Sequence, residues 1–98
     1  MEFINVEDKV GFAKEFMPRI LRAKPEYKVP LICLEAGQEI KPHQSGTGIF
    51  YIISGKGVMT VEGKEFDVKP GNMVFVEKGE SRGIRAVEKL VAFAVHIS

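Results

Sequence analysis

One histidine stands in a stretch of the chain that is typical of a hairpin presenting a binding group. His43 lies in "GQEIKPHQSGTGIFYIISG", residues 37–55, where glycines bracket a short loop and an apolar run. A metal site needs three or four nitrogen or oxygen donors around one ion, and this stretch supplies a single histidine. Ser45 follows two residues later, so on an extended strand its hydroxyl shares a face with the His43 imidazole. The stretch predicts a polar site that is short of metal ligands.

His96 is the only other histidine in the chain. In "LVAFAVHIS" it shares one strand face with Leu90, Ala92 and Ala94. That face could line a cavity, or it could meet solvent near the end of the chain; the sequence leaves both open. Two histidines without further donors would hold a metal weakly, so His43 and His96 are weak candidates for metal ligands.

No catalytic motif accompanies these residues. The chain has no nucleophile elbow, no glycine-rich loop for phosphate and no His–Glu pair at helical spacing. His43 could act as a general base only beside a positioned partner. Tyr51 and Glu35 are possible partners, but the sequence does not place either of them facing His43. Whether the protein is an enzyme stays open.

Composition limits the class of protein. The chain has 98 residues, 45% apolar and 28% charged, with 14 basic and 13 acidic residues and a net charge of +1. This predicts one globular domain spanning residues 1–98 and no nucleic-acid partner, because no basic stripe is present. The lone Cys33 has no disulfide partner. Without a signal peptide or an apolar run of membrane-spanning length, we expect a cytoplasmic protein with no membrane partner.

Two kinds of element position the candidate residues. Residues 1–16 contain apolar residues at near-helical spacing behind an N-cap candidate, Asn5, and Pro18 must end any helix near Phe16. Residues 19–98 consist of short apolar runs separated by turn signals every eight to twelve residues, which predicts an antiparallel sandwich or barrel. The Glu62-Gly63 pair falls where a tight hairpin turn belongs.

Four predicted strands are apolar on both faces. They are "LICL", "IFYII", "MVFV" and "LVAFAV", and successive side chains of a strand point to opposite sides. One side can fill a barrel, but one short helix cannot cover the other side of four strands. A patch of that size is unusual on a monomer, so we expect a homodimer.

The spacing of these residues resembles that of the cupin superfamily, specifically a single-domain, RmlC-like jelly roll. The first cupin motif is G-x(5)-H-x-H-x(3,4)-E-x(6)-G, and here Gly37, His43, Ser45, Gly48 and Gly55 follow its rhythm. The second motif is G-x(5)-P-x-G-x(2)-H-x(3)-N. Its positions are taken by Gly71, Glu77, Gly79, Arg82 and Ala86. The resemblance covers residues 30–97 and implies an all-β, double-stranded β-helix barrel with a short N-terminal helix.

The resemblance also implies where a metal would sit. In cupins, two histidines and a glutamate of the first motif and a histidine of the second hold a divalent metal inside the barrel. His43 matches the first histidine, whereas Ser45, Gly48 (one residue early) and Arg82 replace the other three ligands. One ligand of four remains, and arginine repels a cation. We therefore expect a degenerate metal motif and no cofactor, with a divalent metal as the alternative.

If Arg82 points where the family's histidine points, the barrel mouth holds an imidazole, a hydroxyl and a guanidinium. That trio suits a carboxylate or phosphate. The alternative is that Arg82, in the loop "EKGESRGIRA", points into water. Apolar walls are expected from Phe50, Ile52, Phe75 and the alanines of the last strand, although these residues could also fill the barrel completely.

Three functional hypotheses follow. The first is a metal-free cupin that binds a small polar or anionic molecule through His43, Ser45, Arg82 and Phe50. The second is a metal-dependent cupin enzyme, of dioxygenase or isomerase type, with an atypical ligand set around His43. The third is a protein-interaction module with a vestigial pocket. The sequence favours the first.

Overall fold

The computed structural model describes all residues, 1–98, and arranges nine strands in two facing antiparallel sheets. The strands are β1 (Arg19–Ala23), β2 (Tyr27–Leu34), β3 (Glu39–Gln44), β4 (Thr47–Ser54), β5 (Gly57–Val61), β6 (Lys64–Val68), β7 (Met73–Val76), β8 (Ser81–Ala86) and β9 (Leu90–Ile97). One sheet has the order β1-β2-β9-β4-β7 and the other β3-β8-β5-β6. This architecture confirms the all-β jelly-roll barrel. No helix of the structure has the length and apolar character needed to span a membrane.

The β5–β6 hairpin turns where the sequence predicted. Glu62 and Gly63 both have positive φ, 50° and 78°, between the paired residues Val61 and Lys64. Positive φ at both central positions defines a type I′ turn, whose twist matches that of the flanking strands.

The short N-terminal helix is a single 3-10 turn, Val6–Lys9. Asn5 caps it as expected, its side chain accepting a hydrogen bond from the Glu7 backbone N–H at 3.3 Å. The helix ends well before Phe16, shortly before Gly11, a residue that disfavours helix. The segment that follows the turn crosses the outer face of the first sheet, where Val10 and Phe12 pack against its buried residues.

The core lies between the two sheets and is built from the inward-facing row of each strand. Phe50, Ile52, Ala92 and Ala94 belong to it, as the sequence predicted. The placement of Phe75 in the interior was wrong, because its side chain is 65% exposed on the outer face of β7. Both faces of "MVFV" are apolar. The face with Val74 and Val76 turns to the interior, and the face with Met73 and Phe75 turns outward.

An outer apolar patch remains uncovered on the first sheet. We define it as two rows of three residues across β7, β4 and β9: Phe75, Ile49 and Val95, then Met73, Tyr51 and Phe93. Phe75 and Met73 are 65% and 54% exposed, and the Tyr51 and Phe93 rings contact each other at 5.7 Å between centroids. The N-terminal segment covers the neighbouring part of this face, so only part of the predicted apolar surface needs another partner.

Gly55→Ala is expected to destabilise the barrel much more than Gly63→Ala. Both glycines have a left-handed φ, 82° and 78°, which costs about 1 kcal/mol for a residue with a Cβ. A Cβ at Gly63 would meet nothing within 4 Å, whereas one at Gly55 would collide with the Lys89 carbonyl oxygen. We expect a loss above roughly 3 kcal/mol for Gly55→Ala, measured by urea unfolding. Equal losses for the two variants would contradict this account of the β4–β5 turn.

Candidate functional site

One cavity of about 520 Å³ opens between the sheets. It brings together the five residues that the sequence predicted as ligand-binding or metal candidates: His43, Ser45, Phe50, Arg82 and His96. The barrel is therefore not filled by its own side chains. Most of the remaining wall is apolar and is formed by Phe16, Pro18, Ile20, Pro30, Ile32, Ile40, Met59, Ile84 and Ala94.

Arg82 lies on strand β8 rather than in a loop, and its side chain points inward. It shares the interior face of β8 with Ile84 and Ala86, and only 2% of its surface is exposed. In the β3–β8 pair it stands directly opposite His43. The alternative that Arg82 points into water is therefore wrong.

The guanidinium of Arg82 is held by backbone carbonyls and not by a carboxylate. Nε donates to the Glu80 carbonyl at 3.0 Å, and Nη2 donates to the carbonyls of Glu77 at 3.1 Å and Ser45 at 3.4 Å. Nη1 is buried and has no hydrogen-bond partner. Carbonyl oxygens satisfy N–H groups but carry no net charge, so the positive charge inside the barrel lacks a paired anion.

Gly48 provides the space that this guanidinium occupies. A Cβ at Gly48 would lie 3.1 Å from Nη1 of Arg82 and 3.1 Å from Cε1 of Phe50. The space beside Gly48 is thus taken in part by the Arg82 guanidinium, and Nη1 stays without a hydrogen-bond partner there.

His43 sits at the mouth of the cavity. Its Nδ1 lies 3.0 Å from the Lys41 carbonyl oxygen, and because a carbonyl can only accept, Nδ1 carries the proton of that hydrogen bond. Nε2 is then left for a ligand, as an acceptor when neutral and as a donor when protonated. Ser45 follows the last residue of β3 and lines the same mouth.

His96 is surrounded by positive charge. Its neighbours across the sheet are Lys28 on β2 and Gly48 on β4. Burial lowers the pKa of His96 below its ordinary value, and the positive charges of Arg82, Lys28 and His43 lower it further. Burial also lowers the pKa of Arg82, against the opposing charge of Glu80, but a guanidinium stays protonated in proteins.

No acidic residue opposes the basic groups of the cavity lining. Its ionisable residues are Lys28, Arg82, His43 and His96, and no aspartate or glutamate is among the lining residues. Such a wall attracts anions and repels metal ions.

The residues present do not fit the divalent metal that the cupin motifs imply. Nowhere in residues 1–98 do three or more histidine, cysteine, aspartate or glutamate side chains form a group able to hold a metal ion. Arg82 occupies the position of the last histidine ligand and points its unpaired nitrogen toward Gly48, the position nearest the glutamate ligand. His43 and His96 line the same cavity, but the buried, positively charged guanidinium of Arg82 lines it too and would repel a metal ion.

The two residues considered as catalytic partners of His43 lie elsewhere. Tyr51 belongs to the outer apolar patch, where it packs on Phe93. Glu35 forms an ion pair with Lys89 at 3.7 Å, and neither residue lines the cavity. The structure therefore supplies no acid–base partner of this kind.

Sequence reasoning missed Lys28 and the N-terminal rim of the cavity. Lys28 shares a strand face with Pro30 and Ile32, so the period-2 pattern of β2 could have found it once Ile32 was placed inside. Phe16 and Pro18 gave no such signal. They reach the cavity because the Gln38 amide donates to the carbonyls of Ala13 and Lys14 at 2.8 and 3.0 Å.

A protein-family model decides the family. The model described as "Cupin domain" matches residues 30–97. The chain belongs to the cupin family. A search of curated proteins gives no match.

Solved cupin structures share the fold. An RmlC-like cupin from Desulfovibrio desulfuricans superposes with a TM-score of 0.89 at 20% identity, covering 99% of this chain and 96% of that one. An RmlC-like cupin with a double-stranded β-helix fold from Methanocaldococcus jannaschii has a TM-score of 0.77 at 25% identity, over 87% and 82%. A conserved double-stranded β-helix protein from Klebsiella pneumoniae has 0.89 at 19%, over 99% and 90%. These similarities show a shared fold, and they do not identify a ligand for this cupin.

His96→Gln is expected to weaken the acid sensitivity of folding. Because the folded-state pKa of His96 is lowered, the unfolded chain binds more protons below its ordinary pKa of about 6.5. The stability contribution of neutral His96 is thus fully present above that value and is lost as pH falls through it toward the folded pKa. The slope from one proton is at most about 1.4 kcal/mol per pH unit. Urea unfolding of wild type and variant between pH 7.5 and 5.5 measures it; parallel profiles would show that His96 makes no such contribution.

Proposed function

We propose that this cupin binds a small anionic molecule inside its barrel without a metal. The single observation that carries the proposal is the buried guanidinium of Arg82: its Nη1 has no hydrogen-bond partner, and the Arg82 side chain lines the open cavity. A buried polar group without a partner costs free energy, and a cation without a counter-ion costs more. A carboxylate or phosphate oxygen would satisfy both needs at once.

The other lining groups support the same ligand. Nε2 of His43 is not used by the protein, and His96 can take up a proton when a negative charge arrives. Lys28 adds a further positive charge on the same wall. Functional sites often lower the folding stability of the empty protein, because groups placed to bind a ligand lack partners when the ligand is absent.

The alternative hypotheses receive less support. A metal-dependent enzyme needs donors that the cavity does not provide, and metal analysis of protein purified without a histidine tag would test it: stoichiometric iron, manganese, nickel or zinc would favour that hypothesis. A protein-interaction module with a vestigial pocket would be favoured by a filled interior. The cavity beside His43 argues against it.

Arg82→Gln is expected to abolish the response of the cavity to anions. In ¹⁵N-resolved NMR titrations with sodium phosphate, acetate and benzoate at constant ionic strength, wild type should show shifts at Arg82 Nε, Gly48 and His96. Losing a charge-assisted hydrogen bond of about 1.5–3 kcal/mol should weaken the tightest of these anions by at least tenfold.

Arg85→Gln is the matched control, since Arg85 lies on the same strand but is exposed. Gly48→Ala retains the charge and crowds both Nη1 and the Phe50 ring, so it tests the site if Arg82→Gln does not fold. Shifts of equal size in Arg82→Gln, Gly48→Ala and wild type would remove Arg82 from the proposed site.

We also propose that a second copy of the chain covers the outer apolar patch. The patch is continuous across three strands, and its two most exposed members are large apolar side chains. Burial of such surface is the main favourable term in association.

Light scattering should give about twice the chain mass of 10.9 kDa. Phe75→Lys is expected to raise the dimer dissociation constant by at least tenfold, because burying a lysine ammonium in an apolar interface is unfavourable. Phe66→Lys, on the edge strand of the other sheet, should leave the mass unchanged. A wild-type monomer at micromolar concentration would refute the dimer.

A further inference from the structure

The cavity is polar at one place and apolar over the rest of its wall. Arg82 and Lys28 supply the positive charge beside the imidazoles of His43 and His96, and the remaining wall consists mainly of aliphatic and aromatic side chains. At about 520 Å³ the cavity falls in the range of small-ligand sites. It is far larger than an inorganic anion or acetate. A ligand that fills it must therefore bring an apolar body along with its charge.

The number of free donors limits the head group. Two of the three guanidinium nitrogens of Arg82 already donate to carbonyls, so only Nη1 still lacks an acceptor. The two-pronged grip on a carboxylate that the sequence suggested is not available from Arg82 alone. One carboxylate oxygen can accept from Nη1, and the other must be served by His96, His43 or Lys28. A phosphate group could use the same donors, but it has no hydrocarbon body to cover the apolar part of the wall.

The wall also selects against polar bodies. Apart from Ser45 and the cationic residues, the lining side chains have no hydroxyl, amide or carboxylate group. A sugar or polyol would leave hydroxyls without partners, which is costly in a buried site. A hydrocarbon chain or ring has no such groups and gains free energy with each carbon removed from water.

From these observations we infer that the ligand is an organic monocarboxylate with a hydrocarbon body, its carboxylate at Arg82 Nη1 and its body along the apolar wall. The inference rests on the proposed function and narrows it from small anions to amphiphilic ones. Phe16 forms part of that wall from the N-terminal segment, outside the strands that build the barrel. Phe16 packs against the core cluster without belonging to a strand, so shortening it alters the wall and leaves the strand residues in place.

The test is calorimetric titration of the purified protein at pH 7 with sodium acetate, butyrate and hexanoate. Affinity should rise about fourfold for each buried methylene, so hexanoate should bind on the order of 100-fold more tightly than acetate. Hexanamide, with the same body and no charge, should bind at least tenfold more weakly than hexanoate. Adipate should also bind more weakly, because its second carboxylate would meet the apolar wall.

Phe16→Ala should reduce hexanoate affinity severalfold and shrink the gain per methylene. Met17→Ala is the matched control: its side chain is adjacent in sequence but 75% exposed and outside the cavity, so it should bind hexanoate like wild type.

Two results would overturn the inference while leaving the proposed function standing: phosphate or adipate binding as tightly as hexanoate with dependence on Arg82, or equal affinity for acetate and hexanoate. Two others would overturn both: no binding by any of these anions, or hexanamide binding as tightly as hexanoate.

Discussion

An unpaired positive charge inside an apolar barrel is the constraint on which the site depends. Moving a guanidinium out of water without a counter-ion is unfavourable, so the surrounding backbone must supply as many acceptors as it can. It supplies three carbonyls, from Ser45, Glu77 and Glu80. The β7–β8 turn and the residue after β3 thus meet around the Arg82 side chain, because their carbonyls accept its hydrogen bonds.

The same turn is ordered by further hydrogen bonds. The Glu80 carboxylate accepts from the Glu77 backbone N–H at 2.7 Å, and the Gly79 N–H donates to the Ser45 carbonyl at 2.8 Å. The Ser45 carbonyl therefore accepts from both Gly79 and Arg82. These hydrogen bonds join the β3–β4 connection to the β7–β8 turn at the cavity mouth. Because the Ser45 carbonyl already accepts two hydrogen bonds, it is less able to accept a third from a ligand. His43 is then the polar group at the exposed edge of the site. The negative charge of Glu80 stays on the turn, outside the cavity lining.

Sequence patterns predicted the elements better than they predicted which way the elements face. The type I′ turn at Glu62-Gly63 follows from local backbone chemistry, and the interior position of Ala92 and Ala94 follows from small residues alternating with large ones. Phe75 was misplaced because both rows of its strand are apolar, and only packing against β4 decides between them. The predicted longer helix is a short turn at Val6–Lys9, and the residues after it, Val10 and Phe12, pack on the sheet instead.

The site divides in the same way. His43, Ser45 and Arg82 were grouped by motif spacing, and their shared cavity depends on the β3–β8 register that pairs His43 with Arg82. The burial of Arg82 could not be read from "EKGESRGIRA", since a polar, glycine-rich run is also typical of a loop. The period-2 pattern of β2 could place Lys28 on the inner face, but not beside His96, which is its neighbour across the sheet and lies 68 residues away in the chain. Long-range pairing, and not local pattern, decides which charges meet.

Replacing metal ligands with arginine changes what a cupin barrel can select. A metal ion is held by donors and accepts electron pairs from a ligand, whereas a guanidinium donates hydrogen bonds in fixed directions and keeps its charge. In the proposed site, Nε and Nη2 of Arg82 donate to carbonyls, so Nη1 is the guanidinium nitrogen left to donate to an anion's oxygen atom. The apolar wall of that site would disfavour ligands whose remaining groups need hydrogen-bond partners. On this proposal, selectivity arises from the small number of polar groups: the ligand's charge must meet Arg82, and the rest of the ligand must be able to lie against apolar side chains.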